Sequence, residues 1–126
     1  MSLGEPFEKT LAAAVKALTG HKAEEIVVLD LRGKSTFTDF FVICHGSSDR
    51  QLKAMADSVI EETRLAVQRK PTKVEGTPRS GWVLVDYGDF VMHLFSAEAR
   101  EYYNLERLWG DAHQVPLSRL GLDASA

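Results

Sequence analysis

Residues 81–110 read GWVLVDYGDFVMHLFSAEAREYYNLERLWG. Strand-forming residues run from Trp82 to Asp86 and again from Asp89 to Phe95. Only Tyr87 and Gly88 stand between them, and two intervening residues with one glycine predict a tight hairpin. Ala97 to Trp109 then predicts a closing helix that stops at Gly110. Asp86, Asp89, His93 and an aromatic series add polar groups that a plain core hairpin does not need.

Working outward towards the N-terminus, Pro71 precedes a short strand over 72–75, and nearby prolines suit a sheet edge. Leu52, Met55, Ala56, Val59, Ile60 and Thr63 recur at helical spacing. Ser48 followed by Gln51 has the pattern of a capping box at that helix's start. Asp39 to His45 (DFFVICH) is apolar almost without interruption, which predicts a central strand buried on both faces. Glu25 to Leu31 predicts a further strand, and Phe7, Leu11, Val15 and Leu18 give one face of a first helix from Pro6 to Leu18, with Gly20 as its C-terminal cap.

The element order helix–strand–strand–helix–strand–strand–strand–helix defines an α/β domain. A mixed β-sheet of about five strands covered by helices is expected, with no repeat and no linker. The domain is placed at residues 6–112. Residues 113–126 form a C-terminal tail, and its small, polar composition predicts only partial order.

A chain of 126 residues fits one domain with a genuine core. No apolar run approaches the roughly 20 residues that span a bilayer, and the N-terminus lacks a signal-peptide core. Cys44 is the single cysteine, so it excludes an internal disulfide and any zinc site built on cysteine pairs. A buried thiol fits a reducing compartment, and a cytoplasmic location is expected. The net charge of −3 argues against the nucleic-acid backbone as the main ligand. Between Asp86 and Asp111 six acids face two bases, so that segment alone carries −4 and the remainder +1. Such a region either meets a basic protein or is a solvated helix face.

Three catalytic readings fail on the residues. A Gly46-Ser47-Ser48 turn between strand and helix resembles the glycine-serine turn of nucleotidyltransferases. Those enzymes need carboxylates converging on metal ions, yet the turn leads into Asp49-Arg50-Gln51-Leu52-Lys53, with no carboxylate pair. A metal centre on Asp86, Asp89 and His93 requires His93 to reach across four strand residues from Asp89, about 13 Å. No nucleophile signature surrounds Ser47, Ser48 or Cys44. The chain is therefore expected to be no enzyme and to need no metal and no cofactor.

A binding module fits better. Trp82, Tyr87, Tyr102, Tyr103 and Trp109 crowd one segment beside Arg107, and Trp, Tyr and Arg are the side chains that most often anchor interfaces.

The series TDFFVICHGSSDRQLKAMAD, then EG, then GWVLVDYGDFVMHLFSAEAREYYNLERLWGDA closely resembles the ribosomal silencing factor family, also called Iojap-like. The resemblance covers about residues 6–112, and its most specific part is the DYGD, His, EAR, Tyr, LE and LW series. It implies a nucleotidyltransferase-like α/β fold without the catalytic carboxylates. It also implies a translational repressor that binds the large ribosomal subunit at its basic fourteenth protein. Occupying that site would block joining of the small subunit. A large-subunit assembly adaptor and a residual nucleotide-binding protein are the alternatives.

Carried onto this sequence, the family's contact surface falls on Trp82, Tyr87, Asp89 and His93. Tyr103, Glu106, Arg107 and Trp109 form a second rank. Asp86 and Gly88 would set the turn that presents them. His45 departs from the small or hydroxylated residue frequent at that place in the family. The resemblance also implies homodimers.

Overall fold

The computed structural model describes residues 5–121. Helix α1 spans Glu5–Gly20, and strands β1 (Glu24–Asp30) and β2 (Phe40–Gly46) follow. Helix α2 (Asp49–Val67) leads into the meander β3 (Lys73–Thr77), β4 (Trp82–Asp86) and β5 (Phe90–Ser96). Two short helices, α3 (Ala97–Tyr103) and α4 (Leu105–Leu108), precede β6 (His113–Gln114) and a terminal 3-10 turn. The sheet order is β3-β4-β5-β2-β1-β6. β2 and β5 run parallel while every other pair is antiparallel.

The expected α/β architecture is present, with six strands in place of five. The extra strand is β6, whose two residues pair with Leu29 and Asp30 of β1. It begins the segment read as a loosely ordered tail. As far as residue 121, that segment packs: Val115 and Leu120 join the main core. Val115, Leu117 and Leu120 are too few to register as periodicity, but they suffice to anchor a short segment on the core. Residues 122–126 of that tail lie outside the described residues.

Alternation along the strands divides the sheet into two faces. On the first face Val28, Phe40, Val42, Cys44, Val83, Val85, Phe90, Met92 and Leu94 meet α1 and α2. Phe7 stacks on Phe40 at 4.8 Å between ring centroids and meets Phe90 edge-on. β2 is buried at six of its seven positions, as its unbroken apolar run requires of a central strand. Burial pushes the Cys44 thiol up to about 12, so it packs as a small apolar group.

The second face carries Phe41, Ile43, Val91, His93, Phe95, Trp82 and Leu84, and among the described residues α3, α4 and the segments holding Phe37 and Ala112 lie near it. The predicted single helix over 97–109 is broken at Asn104, which takes a left-handed conformation with φ 46°. Asparagine tolerates that conformation better than other side chains. The break redirects the chain, and Leu105 and Trp109 turn back onto the second face.

The hairpin differs by one residue from the sequence reading. Asp86 pairs with Val91, and the Tyr87 N–H donates to the Phe90 carbonyl at 2.9 Å. The turn is therefore Gly88-Asp89, and Gly88 takes the positive φ of 90° that a side chain would resist. Asp86 and Asp89 are not cross-strand neighbours. Asp86 shapes the turn by accepting the Gly88 N–H at 2.7 Å.

Candidate partner-binding face

The α2 N-terminus is where a nucleotidyltransferase reading places its phosphate. Ser48 caps the helix by accepting the Gln51 N–H, which is one half of the predicted capping box. The other half is absent: the Gln51 side-chain Oε1 accepts instead from the Ser47 N–H at 2.7 Å and from its hydroxyl. The Gln51 amide also donates to the carbonyls of His21 and Lys22. Gln51 thus fills the turn and ties it to the α1–β1 loop, and those donors are already in use.

The second face is different. Strand pairing sets Trp82 opposite Phe95 and Leu84 opposite His93. Between these strands and α4 lies a groove of about 440 Å³, floored by Phe41, Val91, Leu84 and His93 and walled by Leu105, Leu108 and Trp109. Lys73, Glu75 and Asp86 supply polar groups at its edge. A second hollow of about 270 Å³ sits between Trp82, Leu84, Tyr103 and β3. Glu75, Trp82 and Leu84 line both hollows, and Trp82 is the largest of the three.

Rings run across the whole face in contact. Phe37 meets Phe41 at 6.1 Å, Phe41 meets His93 at 4.4 Å, and Trp82 meets Tyr103 at 4.5 Å. Phe37, Tyr103 and Leu108 are 65%, 48% and 73% exposed. An apolar surface this continuous is costly to leave in water, and such patches mark sites of association.

His93 is 4% exposed. The Trp82 indole N–H donates to its Nδ1 at 3.1 Å. An indole can only donate, so Nδ1 is the lone-pair nitrogen and the ring proton resides on Nε2. Nε2 is buried and has no hydrogen-bond partner among the described residues. Burial alone pushes the imidazole down to about 4. His93 is thus a neutral part of the floor.

The other residues expected at the contact surface divide between the two faces. Tyr87 is on the opposite face, 2% exposed, stacked on Phe90 at 4.6 Å with its hydroxyl 2.7 Å from the Thr63 hydroxyl. Burial raises its pKa above the ordinary phenol value. Asp89 lies beyond the groove and is held by the Arg69 guanidinium at 2.5 and 3.0 Å. The same guanidinium donates to the Tyr87 carbonyl at 2.6 Å. Tyr87, Asp89 and Arg69 therefore lock the turn. Replacing Tyr87 with phenylalanine is expected to cost about 1 kcal/mol in urea denaturation, the size of one buried hydrogen bond, and to leave partner affinity unchanged.

Trp82, His93, Tyr103 and Trp109 come together on the second face. Glu106 faces inward to Arg100, and Arg107 is exposed. Sequence reading missed Phe37, Leu84, Leu105 and Leu108. Leu84 was accessible to period-two alternation from Trp82. Phe37 stood out only as a lone aromatic in a polar loop.

The acidic character of residues 86–111 also changes meaning. Asp89 is paired with Arg69, Glu106 with Arg100, and Asp111 with Lys34 at 3.1 Å. Arg69 and Lys34 come from outside the segment and halve its net charge from −4, and the side chains that face the groove are mostly apolar.

Residues 5–126 match the family described as "ribosomal silencing factor during starvation". The ribosomal silencing factor of Halalkalibacterium halodurans is 43% identical over 113 residues, covering 87% of this chain and 93% of that protein. The mouse protein named "mitochondrial assembly of ribosomal large subunit protein 1" is 37% identical over 97 residues, covering 75% of this chain but 42% of that one. A crystal structure of a Chromobacterium violaceum protein superposes with a TM-score of 0.78 at 34% identity, covering 85% of this chain and 88% of its own.

Proposed function

This chain belongs to the ribosomal silencing factor family, and from that premise we propose that it represses translation by occupying the large ribosomal subunit. The partner is the subunit's fourteenth protein, and the effect is steric: while the factor is bound, the small subunit cannot join. No bond is made or broken. The protein works in the cytoplasm, the domain runs past residue 112 to include β6, Val115 and Leu120, and a homodimer is its free form.

The observation that carries this reading is the open second face. Trp82, Leu84, Phe41, Tyr103, Leu108 and Trp109 surround two adjoining hollows. Among the described residues no element of the chain covers them. Trp82 and Tyr103 supply large rigid contact areas, with Trp109 in the wall, Arg107 exposed beside it and Glu106 turned inward to Arg100. His93 holds Trp82 in place from below through the indole hydrogen bond. Asp89 and Tyr87 act through the turn they fix. At the polar edge Glu75 is paired with Lys73 at 2.9 Å, which leaves Asp86 as the carboxylate for a basic partner to meet.

A second reading has one specific observation behind it, the assembly role in the mouse relative's name. An assembly adaptor would use the same face on precursor particles.

The test is co-sedimentation with isolated bacterial ribosomal subunits. The protein is expected to pellet with large subunits, not with small ones, and to be excluded by preformed couples of the two. Binding that persists unchanged on joined subunits would overturn the occlusion mechanism. Association with precursor particles alone would favour the adaptor.

A further inference from the structure

We infer that Arg100 is the positioning residue of the groove: it holds the α4 wall in place without touching the partner. This rests on the second face being the docking surface, as proposed above.

α4 has four residues, and a single turn does not hold itself in water. Asn104, the residue that starts it, makes no side-chain capping bond. Its first turn nevertheless has a fixed place, with Leu105 and Trp109 packed on the second core and Trp109 edge-on to Phe41 at 6.0 Å. Something outside the helix must set it there.

The Arg100 guanidinium is the group in position to do so. It is 8% exposed and reaches three parts of the fold at once. Its Nε and Nη2 donate to the two Glu106 oxygens at 2.9 and 3.2 Å. Nη1 donates to the Glu24 carbonyl at 3.3 Å on β1 and contacts His45 Nδ1 at 3.0 Å on β2. A guanidinium can only donate, so Nδ1 of His45 is the acceptor and its proton resides on Nε2, 3.7 Å from the Glu24 carboxylate.

The two-bond fork to Glu106 crosses the break at Asn104 and joins residues six apart, a separation that regular helix geometry does not bring together. The contacts to Glu24 and His45 fix the same guanidinium to the sheet. Arg100 therefore references the wall to the floor. At its far end α4 is held by the Lys34–Asp111 pair, with side chains 37% and 79% exposed, which is too wet to contribute much. His45, the residue that departs from the family pattern, is here an acceptor for the buried cation.

The test labels both tryptophans with 5-fluorotryptophan and assigns the two resonances by Trp82→Phe and Trp109→Phe. Glu106→Ala, at a partly exposed side chain, removes the fork with little risk to folding. The expected result is a Trp109 resonance that broadens or moves towards the solvent position while that of Trp82 stays, with large-subunit affinity about tenfold lower. Glu106→Gln keeps an acceptor and should restore part of both effects.

A tenfold loss with the Trp109 resonance unchanged would overturn the inference, because Glu106 would then be a direct contact. An unchanged affinity together with an unchanged resonance would overturn it too. If the wild-type protein fails to bind large subunits at all, the functional reading falls. The Trp109 resonance in Glu106→Ala still decides whether Arg100 positions the wall.

Discussion

Replacing Trp82 with alanine is expected to weaken binding to isolated large subunits by thirtyfold or more, about 2 kcal/mol. No other side chain borders both hollows and also reaches the aromatic line in three directions, towards His93, Phe95 and Tyr103. Truncation removes the ridge between the hollows, and an anchor's contribution is lost together with the shape that its partner fits. Trp82→Phe should recover part of the affinity, because it keeps a ring over Phe95 while losing the second ring of the indole and the N–H that His93 accepts. Near-ultraviolet circular dichroism and a denaturation curve on each variant separate a lost contact from a lost fold. An alanine variant that folds and binds within threefold of wild type would remove this face from consideration. Asp89→Arg is a poor companion test. It would set two guanidiniums together where Arg69 now grips Asp89, so any lost binding would report on the turn.

The second large effect is on stability in acid, and it comes from His93. Its folded pKa lies near 4, against an ordinary value of 6.5, because burial among Trp82, Phe41 and Phe95 penalises the imidazolium. The unfolded chain takes up the proton first. Above about pH 6.5 both states are neutral and His93 contributes no pH dependence. Between 6.5 and 4 the unfolded state binds more protons, so stability falls as the pH falls. At pH 4.5 the gap of about two pH units corresponds to roughly 2–3 kcal/mol. Urea denaturation of wild type and His93→Asn at pH 7.0 and 4.5 measures it. Asparagine offers the Trp82 N–H an acceptor but does not titrate. The variant should start less stable and lose about 2–3 kcal/mol less on acidification. Carboxylates held below their ordinary range, such as Asp30 beside Arg32, lose their partners in both proteins and cancel. Equal losses in the two proteins would show that His93 is solvated. The corollary is that partner affinity stays flat from pH 8 to 6, since the floor remains uncharged throughout.

The residues of the hairpin illustrate how far sequence reading reaches. Val83, Val85, Phe90, Met92 and Leu94 announce two strands, and the burial of β2 on both faces was legible in DFFVICH. Gly88 announced a tight turn. The register of that turn was not legible, because Tyr87-Gly88 and Gly88-Asp89 are equally good two-residue loops. Both loops keep Trp82, Leu84, Val91 and His93 on one face, but they change which residues stand opposite each other: Asp86 pairs with Val91 and not with Asp89. What decides it is Tyr87, which gains a buried stack on Phe90 and a hydroxyl partner in Thr63 by lying on the first face. Thr63 is 24 residues away in sequence, so no local pattern carries that information. The helix break at Asn104 is similar: the spacing from Ala97 to Trp109 suits one helix. Arg100, reaching Glu106 and the sheet together, is what makes two helices the better arrangement.

The amino-acid sequence by itself determined the α/β class, the order of the main elements, the central strand and the family resemblance. Those depend on periodicity, turn chemistry and motif spacing, all of which act over a few residues. Tertiary structure decided which of the aromatic and acidic residues face outward. Burial and charge pairing belong to contacts between segments far apart in the chain. Asp89, Glu106 and Asp111 form an acidic edge in the sequence, but folding brings Arg69, Arg100 and Lys34 to them. With those charges paired, the face left open is apolar and ridged by Trp82.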